Sequence, residues 1–163
     1  MCVTDENHIA VCYSGNEEHG VDSGIKLFDK EGNFLGEFHS PEKYKLPCWV
    51  AYGNRKYFVS YFSENCICVF DSNGVFLHKF GEQGQDGGQF DKIGGLAFYG
   101  PDLILVCDHC NNRVQLLTQE GKFVKSFGEA FSSMSRHPAD LAVTSDGHVF
   151  VLNFGSKNVQ LWR

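Results

Sequence analysis

One hairpin recurs along this chain: GIKLFDKEGNFLGEF (residues 24–38), ICVFDSNGVFLHKF (67–80) and VQLLTQEGKFVKSF (114–127), with a fourth opening at VQLWR (159–163). Self-similarity at a fixed period constrains a fold more than local propensity does, because each copy is a supersecondary unit that buries its apolar faces only by stacking on its neighbours. Gly32, Gly74 and Gly121 mark the period, at spacings of 42 and 47 residues. That is the length of a four-stranded propeller blade.

The hairpin turns share one chemistry. Asp29, Asp71 or Thr118 opens each turn and can accept a backbone N–H, and Gly32, Gly74 or Gly121 closes it where positive φ is needed. Phe34, Phe76 and Phe123 follow two residues later. Upstream, a second pair of strands repeats. Residues 47–52, 93–98 and 138–143 align through Ala51, Ala97 and Ala142, and short turns lead from them into residues 57–60, 103–107 and 149–152. Small residues in the first strand suit the crowded axis of a propeller, and β-branched and aromatic residues in the others suit sheets packed on both faces. In the first copy residues 1–4 and 8–13 take these places, and residues 16–23 form a longer surface loop. The expected fold is therefore all-β, a partial propeller of about four blades of four antiparallel strands. The blades fall at residues 1–43, 44–90, 91–135 and 136–163, and the last stops after its third strand.

No apolar run is long enough to span a bilayer and no cleavable leader pattern is present, so the expectation is a cytoplasmic protein with no membrane partner. The seven cysteines are odd in number, which argues against a complete disulfide framework and for a reducing compartment. Cys48, Cys66, Cys68 and Cys107 sit in strand patterns, where a thiol behaves as a small hydrophobe. Cys107 and Cys110 have the spacing of half a zinc knuckle, but no second pair follows at usable distance, so no metal and no cofactor are expected. The seven histidines form no metalloprotease pattern, and the glycines between residues 81 and 88 join two blades without opening a helix.

Two segments carry a family resemblance. FGEQGQDGGQF (80–90) resembles the linker between blades of NHL-repeat β-propellers, as found at the C-terminus of tripartite-motif (TRIM-NHL) proteins, and VCDHCNNRVQ (106–115) resembles their Asp-x-x-Asn-x-Arg signature. The signature is complete only in the third copy, as Asp108, Asn111 and Arg113. The second copy has Tyr61, Glu64 and Cys66 there, and the fourth has Asn153, Ser156 and Asn158. The triad reads as a loop staple in which Asp and Asn bond the turn backbone and Arg pairs across it. The resemblance implies a six-bladed propeller whose last blade is completed by an N-terminal strand. The ubiquitin-ligase activity of longer relatives would reside in a RING domain absent from these residues.

Function is then expected on a propeller face. Loops joining second and third strands cluster there, bringing residues 13–23, 61–65, 108–112 and 153–157 side by side. Tyr61, Phe62, His109, Asn112, Phe154 and Lys157 are the candidate partner-binding residues, since exposed aromatics in polar loops serve as anchors. The alternative for the aromatics is packing beneath their own loops. Relatives that bind RNA make RNA one implied ligand, but RNA needs clustered Lys and Arg, and the formal charge is −6. A protein partner is the leading expectation and RNA the second. A metal-dependent lactonase or lyase, drawing ligands from Asp102, Asp140 and Asn153, is the third. Open propeller ends are expected to self-associate.

Overall fold

The number of faces a strand buries decides its composition here. The computed structural model describes residues 1–15, 21–42, 44–128 and 137–163. These form four antiparallel sheets in strict chain order. Blade one comprises β1 (Cys2–Val3), β2 (Ile9–Tyr13), β3 (Gly24–Phe28) and β4 (Phe34–Phe38). Blade two comprises β5 (Pro47–Gly53), β6 (Lys56–Tyr61), β7 (Cys66–Asp71) and β8 (Phe76–Phe80). Blade three comprises β9 (Ile93–Tyr99), β10 (Leu103–Asp108), β11 (Arg113–Thr118) and β12 (Phe123–Phe127). Blade four comprises β13 (Pro138–Val143), β14 (Val149–Asn153) and β15 (Asn158–Trp162). The chain is all-β with a propeller-like arrangement of four blades. β5 packs against β1 and β2, β9 against β5, and β13 against β9.

Blades two and three are covered on both faces, so their middle strands β6, β7, β10 and β11 are almost continuously buried, and they are largely apolar, with Ser60, Asp108, Arg113 and Gln115 the buried polar residues among them. In β14 burial alternates residue by residue, as it does when only one face is covered. Its pairing with β15 sets Phe150 opposite Leu161 and Leu152 opposite Val159. These four are 41%, 58%, 47% and 60% exposed, whereas the blade-three residues at the same repeat positions, Leu105, Leu116, Cys107 and Val114, are buried against blade four.

The irregularities repeat as faithfully as the strands. A register shift recurs between the third and fourth strands at Leu27/Phe28, Val69/Phe70 and Leu116/Leu117, and another where the start of the first strand meets the end of the second, at Pro47/Trp49, at Ile93/Leu96 against Asp108/Val106, and at Pro138/Asp140. Bulges in one register re-aim each blade alike, which an array with a common stacking geometry requires. The hairpin turns form as their sequence implies. Asp71 Oδ1 accepts from the N–H groups of Asn73 (2.8 Å) and Val75 (2.9 Å), Asp29 Oδ1 from Glu31 and Asn33 (3.0 and 2.8 Å), and Thr118 Oγ1 from Glu120 and Lys122 (both 3.3 Å). Gly32, Gly74 and Gly121 take φ of +87°, +79° and +84°.

Of the long loop expected in blade one, residues 16–20 lie outside the described residues, and with them the acidic Glu17 and Glu18. Its described flanks are joined by the Gly15 N–H donating to Ser23 Oγ at 2.9 Å.

Candidate functional site

The turns between second and third strands lie at the same end of every blade as the entries to the first strands, because the end of β10 pairs with the start of β9 and the end of β14 with the start of β13. Two backbone positions define each turn region. Leu46, Lys92 and His137, the residues just before the first strands, have φ of 57°, 62° and 50°; Asn65, Asn112 and Lys157, closing the turns, have φ of 54°, 56° and 53°. The left-handed region is costly for most side chains, and Asn is among the few that visit it readily.

The two positions are clipped together across the blade boundary. Asn65 Oδ1 accepts the N–H of Lys92 at 2.6 Å, and Asn112 Oδ1 accepts that of His137 at 3.1 Å. The turn of one blade thereby fixes the entry to the next. Asn112, expected to meet a partner, is committed to this clip, with its amide nitrogen on the Cys110 carbonyl at 3.3 Å. Lys157 is exposed at the matching position of blade four.

Asp108, Asn111 and Arg113 form a staple, but its target differs from the expected one. Asp108 is fully buried and accepts from Arg113 Nε (2.8 Å), Gln115 Nε2 (3.0 Å), Asn111 Nδ2 (3.0 Å to each oxygen) and the N–H of Asp91 (2.8 Å). Arg113 Nη2 donates to the carbonyls of Asp86 (2.9 Å) and Gln89 (3.2 Å), Asn111 Nδ2 to Gly84 (2.8 Å), and Gln115 Nε2 to Gln89 (2.7 Å). The N–H of Gly88 closes the network on Gln115 Oε1 at 2.9 Å. The triad thus holds the incoming linker of residues 84–91, where its own turn backbone was expected. Gln115 is a fourth member that sequence reasoning missed. Blade four keeps an uncharged version: Asn153 Nδ2 donates to Asn158 Oδ1 at 3.1 Å and Ser156 Oγ to the same oxygen at 3.0 Å.

Tyr61 corrects the sequence reading. It occupies the position of Asp108 and Asn153 and is 0% exposed, its ring 5.4 Å from that of Tyr44. Strand alternation sends it into the core between blades one and two, so it is packing and not an anchor. Burial drives its hydroxyl far above the usual phenol range.

The next residue in each repeat points the other way. Phe62, His109 and Phe154 hold one repeat position in blades two, three and four, and the N–H of His109 donates to Lys92 O (3.1 Å) as that of Phe154 does to His137 O (3.0 Å). Side chains from the two repeating positions meet along the face. Lys92 Nζ lies 5.5 Å from the Phe62 ring, Phe62 is 6.1 Å from His109, and His109 is 4.8 Å from His137. Phe154, 72% exposed, extends the strip into blade four. Partial burial, with the His137 ring a smaller contributor, holds the His109 imidazole below its ordinary range, although its bond to Pro138 O works the other way. Sequence reasoning missed Lys92 and His137. Their signal was positional, since both stand immediately before a first strand.

Other sequence candidates do not converge. Cys107 is buried between blades three and four and Cys110 is exposed, so the half-knuckle pair faces two environments. Burial raises both thiols. Asp102 stands in the turn between β9 and β10, at the opposite blade end from Asn153, and Asp140 Oδ1 accepts the Leu141 N–H at 2.9 Å. Among the described residues no group of three or more His, Cys, Asp or Glu side chains is placed to hold a metal ion.

Stacked four-stranded antiparallel sheets with stapled linkers define a β-propeller class of protein. Solved structures agree. A catalytically inactive virginiamycin B lyase from Staphylococcus aureus with quinupristin is 14% identical with a TM-score of 0.66, covering 99% of this chain and 53% of that one. A 6-phosphogluconolactonase-like protein of Bacteroides uniformis is 15% identical with a TM-score of 0.63, covering 99% and 55%. At such identity the likeness establishes the fold alone, and the chain spans about half the length of these structures. No family model matches the chain. Among curated proteins, the Drosophila melanogaster protein brain tumor is 40% identical over 55 residues, 34% of this chain and 5% of that protein.

Proposed function

We propose that these residues form an NHL-type recognition module, acting without catalysis, that binds a protein partner through the face bearing Phe62, Lys92, His109, His137 and Phe154. The NHL assignment draws on the linker and Asp108-Asn111-Arg113 signature, and the match to protein brain tumor supports it. The observation that carries the binding reading is the strip itself. Three equivalent positions bear an aromatic or imidazole ring, the rings of Phe62, His109 and His137 lie side by side across blade boundaries, and the Asn65 and Asn112 clips tie each turn to the entry of the next blade. Preformed aromatic surface on a stiff scaffold binds with little ordering cost.

A protein fits this strip better than RNA does. The face offers Lys45, Lys92 and Lys157 to a phosphate backbone, but Glu64 accepts the Lys45 N–H and Asp91 precedes Lys92, and counterion release by so few cations yields little affinity. The test is affinity capture of the tagged chain from its own cells, with and without ribonuclease, beside a Phe62→Ala, Phe154→Ala variant. The expected result is a protein that survives ribonuclease and is lost from the variant, with unchanged thermal melting. Recovery of RNA, or equal capture by the variant, would refute the reading.

A further inference from the structure

His109 and His137 belong to successive blades, 28 residues apart in sequence, and their rings meet at a centroid distance of 4.8 Å. The backbone fixes how each ring faces. His109 Nδ1 lies 3.2 Å from the Pro138 carbonyl oxygen, and His137 Nδ1 lies 3.3 Å from the His109 carbonyl oxygen. A carbonyl oxygen only accepts, so each Nδ1 carries a proton and donates it. In the neutral ring the second nitrogen, Nε2, then keeps its lone pair. Among the described residues Nε2 of neither ring has a hydrogen-bond partner, and both rings are partly exposed, so an ion reaches them from solvent.

An imidazole with Nδ1–H on a backbone carbonyl and Nε2 free is the usual arrangement of a metal-ligating histidine, because that bond sets both tautomer and ring direction. The spacing also fits. With metal–nitrogen bonds of about 2.0–2.1 Å, two imidazoles sharing one ion at about 90–110° place their centroids about 4.5–5.2 Å apart. Coordination sets no torsion about the metal–nitrogen bond, so the 31° between the ring planes is compatible. The backbone on both sides is held in advance: the His109 N–H donates to Lys92 O at 3.1 Å and the His137 N–H to Asn112 Oδ1 at 3.1 Å. No other described histidine meets a second imidazole. His8, His39 and His148 each stand beside one carboxylate, and His78 lies against Gln119 O.

We infer that His109 and His137 form a binding site for a divalent transition-metal ion that favours imidazole, such as Zn²⁺, Cu²⁺ or Ni²⁺, through their two Nε2 atoms. Two protein ligands leave the rest of the coordination shell to water or to a donor side chain of a bound molecule. The site lies on the face proposed above for a protein partner, yet it takes the ion whether or not a partner binds.

The probe is Zn²⁺ alone, added to residues 1–163 in reducing, metal-free buffer and followed by the imidazole Cε1–H and Cδ2–H signals. The expected result is a saturable one-to-one change that moves the His109 and His137 signals ahead of those of every other histidine. Affinity by calorimetry should fall roughly tenfold or more in His109→Gln and in His137→Gln, since even the outer-shell partners of a ligand cost that much. It should be unchanged in His148→Gln and in Cys110→Ser, which removes the exposed thiol next to His109. The wild-type signals report the site even where a variant folds poorly. No saturable change at millimolar Zn²⁺, earlier movement of another histidine, undiminished affinity in His109→Gln or His137→Gln, or loss of binding in Cys110→Ser would overturn the inference.

Discussion

Gly74 is held against the ring of Phe38 in the preceding blade, so closely that a Cβ there would lie 2.8 Å from the Phe38 side chain. Gly121 meets Phe80 of blade two in the same way, and Gly32, in blade one, has open space around its missing Cβ. One turn position thus carries two demands, positive φ in every copy and close interblade contact in the second and third. Gly32→Ala should cost about 1–2 kcal/mol, for the left-handed backbone alone. Gly74→Ala should cost a further 1–3 kcal/mol for overpacking. Urea unfolding of the two variants measures the difference, and equal losses would contradict the interblade packing.

Tyr61 makes a second prediction. Its buried hydroxyl has no hydrogen-bond partner among the described residues. Tyr61→Phe should therefore leave stability unchanged or raise it by about 1 kcal/mol, because an unpaired polar group no longer has to be desolvated. Tyr61→Ala should cost about 3–5 kcal/mol as a core cavity. A Phe variant that melts well below wild type would place a partner on that hydroxyl.

Removing Asp108 strands Arg113, which is only 8% exposed. Asp108→Ala should destabilise the chain by about 3–5 kcal/mol, the usual result of leaving one member of a buried pair without its counter-charge. Hydrogen exchange should quicken first in residues 84–91, the linker that the network holds. Loss of protection confined to residues 109–112 would instead favour a staple on the turn itself.

The depressed His109 imidazole gives a pH dependence of defined sign. With its folded pKa below the ordinary value near 6.5, the unfolded chain binds the proton first as pH falls. The stabilising contribution is complete above about pH 6.5 and declines below it, down to the folded pKa. Melting temperatures between pH 7.5 and 5 should fall less steeply in His109→Gln than in wild type. A steeper fall in the variant would contradict the assignment.

In a preparation of residues 1–163, the exposed face of Phe150, Leu152, Val159 and Leu161 should drive association with a second copy. The matching face of each earlier blade is covered by its neighbour, and blade one offers the corresponding uncovered face, so the contact continues the interblade pattern head to tail. Light scattering should show mass rising with concentration, and Leu152→Lys with Leu161→Lys should abolish the rise. A monomer at all concentrations would refute it.

Much of this architecture was legible because it repeats. The hairpin glycines, the alanines of the first strands and the Asp108 signature each recur or match at a fixed offset, so strand order and turn chemistry could be read without contacts. What was not legible depends on which way a residue faces at a bulge or a turn. Tyr61 and Phe62 are adjacent and both aromatic, yet one enters the core and the other joins the surface strip, and only the register of β6 separates them. Lys92 and His137 looked like linker residues because their role follows from left-handed backbone and from clips to Asn65 and Asn112 one blade earlier. Gln115 read as an ordinary strand residue, since nothing local reveals that residues 84–91 fold back over it.

The most direct measurement is site-specific photo-crosslinking in the protein's own cells, with the probe placed at Phe154 on the aromatic strip and, separately, at Asp102 on the opposite blade ends. The account predicts a discrete protein adduct from position 154, lost when Phe62 is replaced by Ala, and none from position 102. Adducts from 102 alone, or RNA adducts from 154, would contradict it.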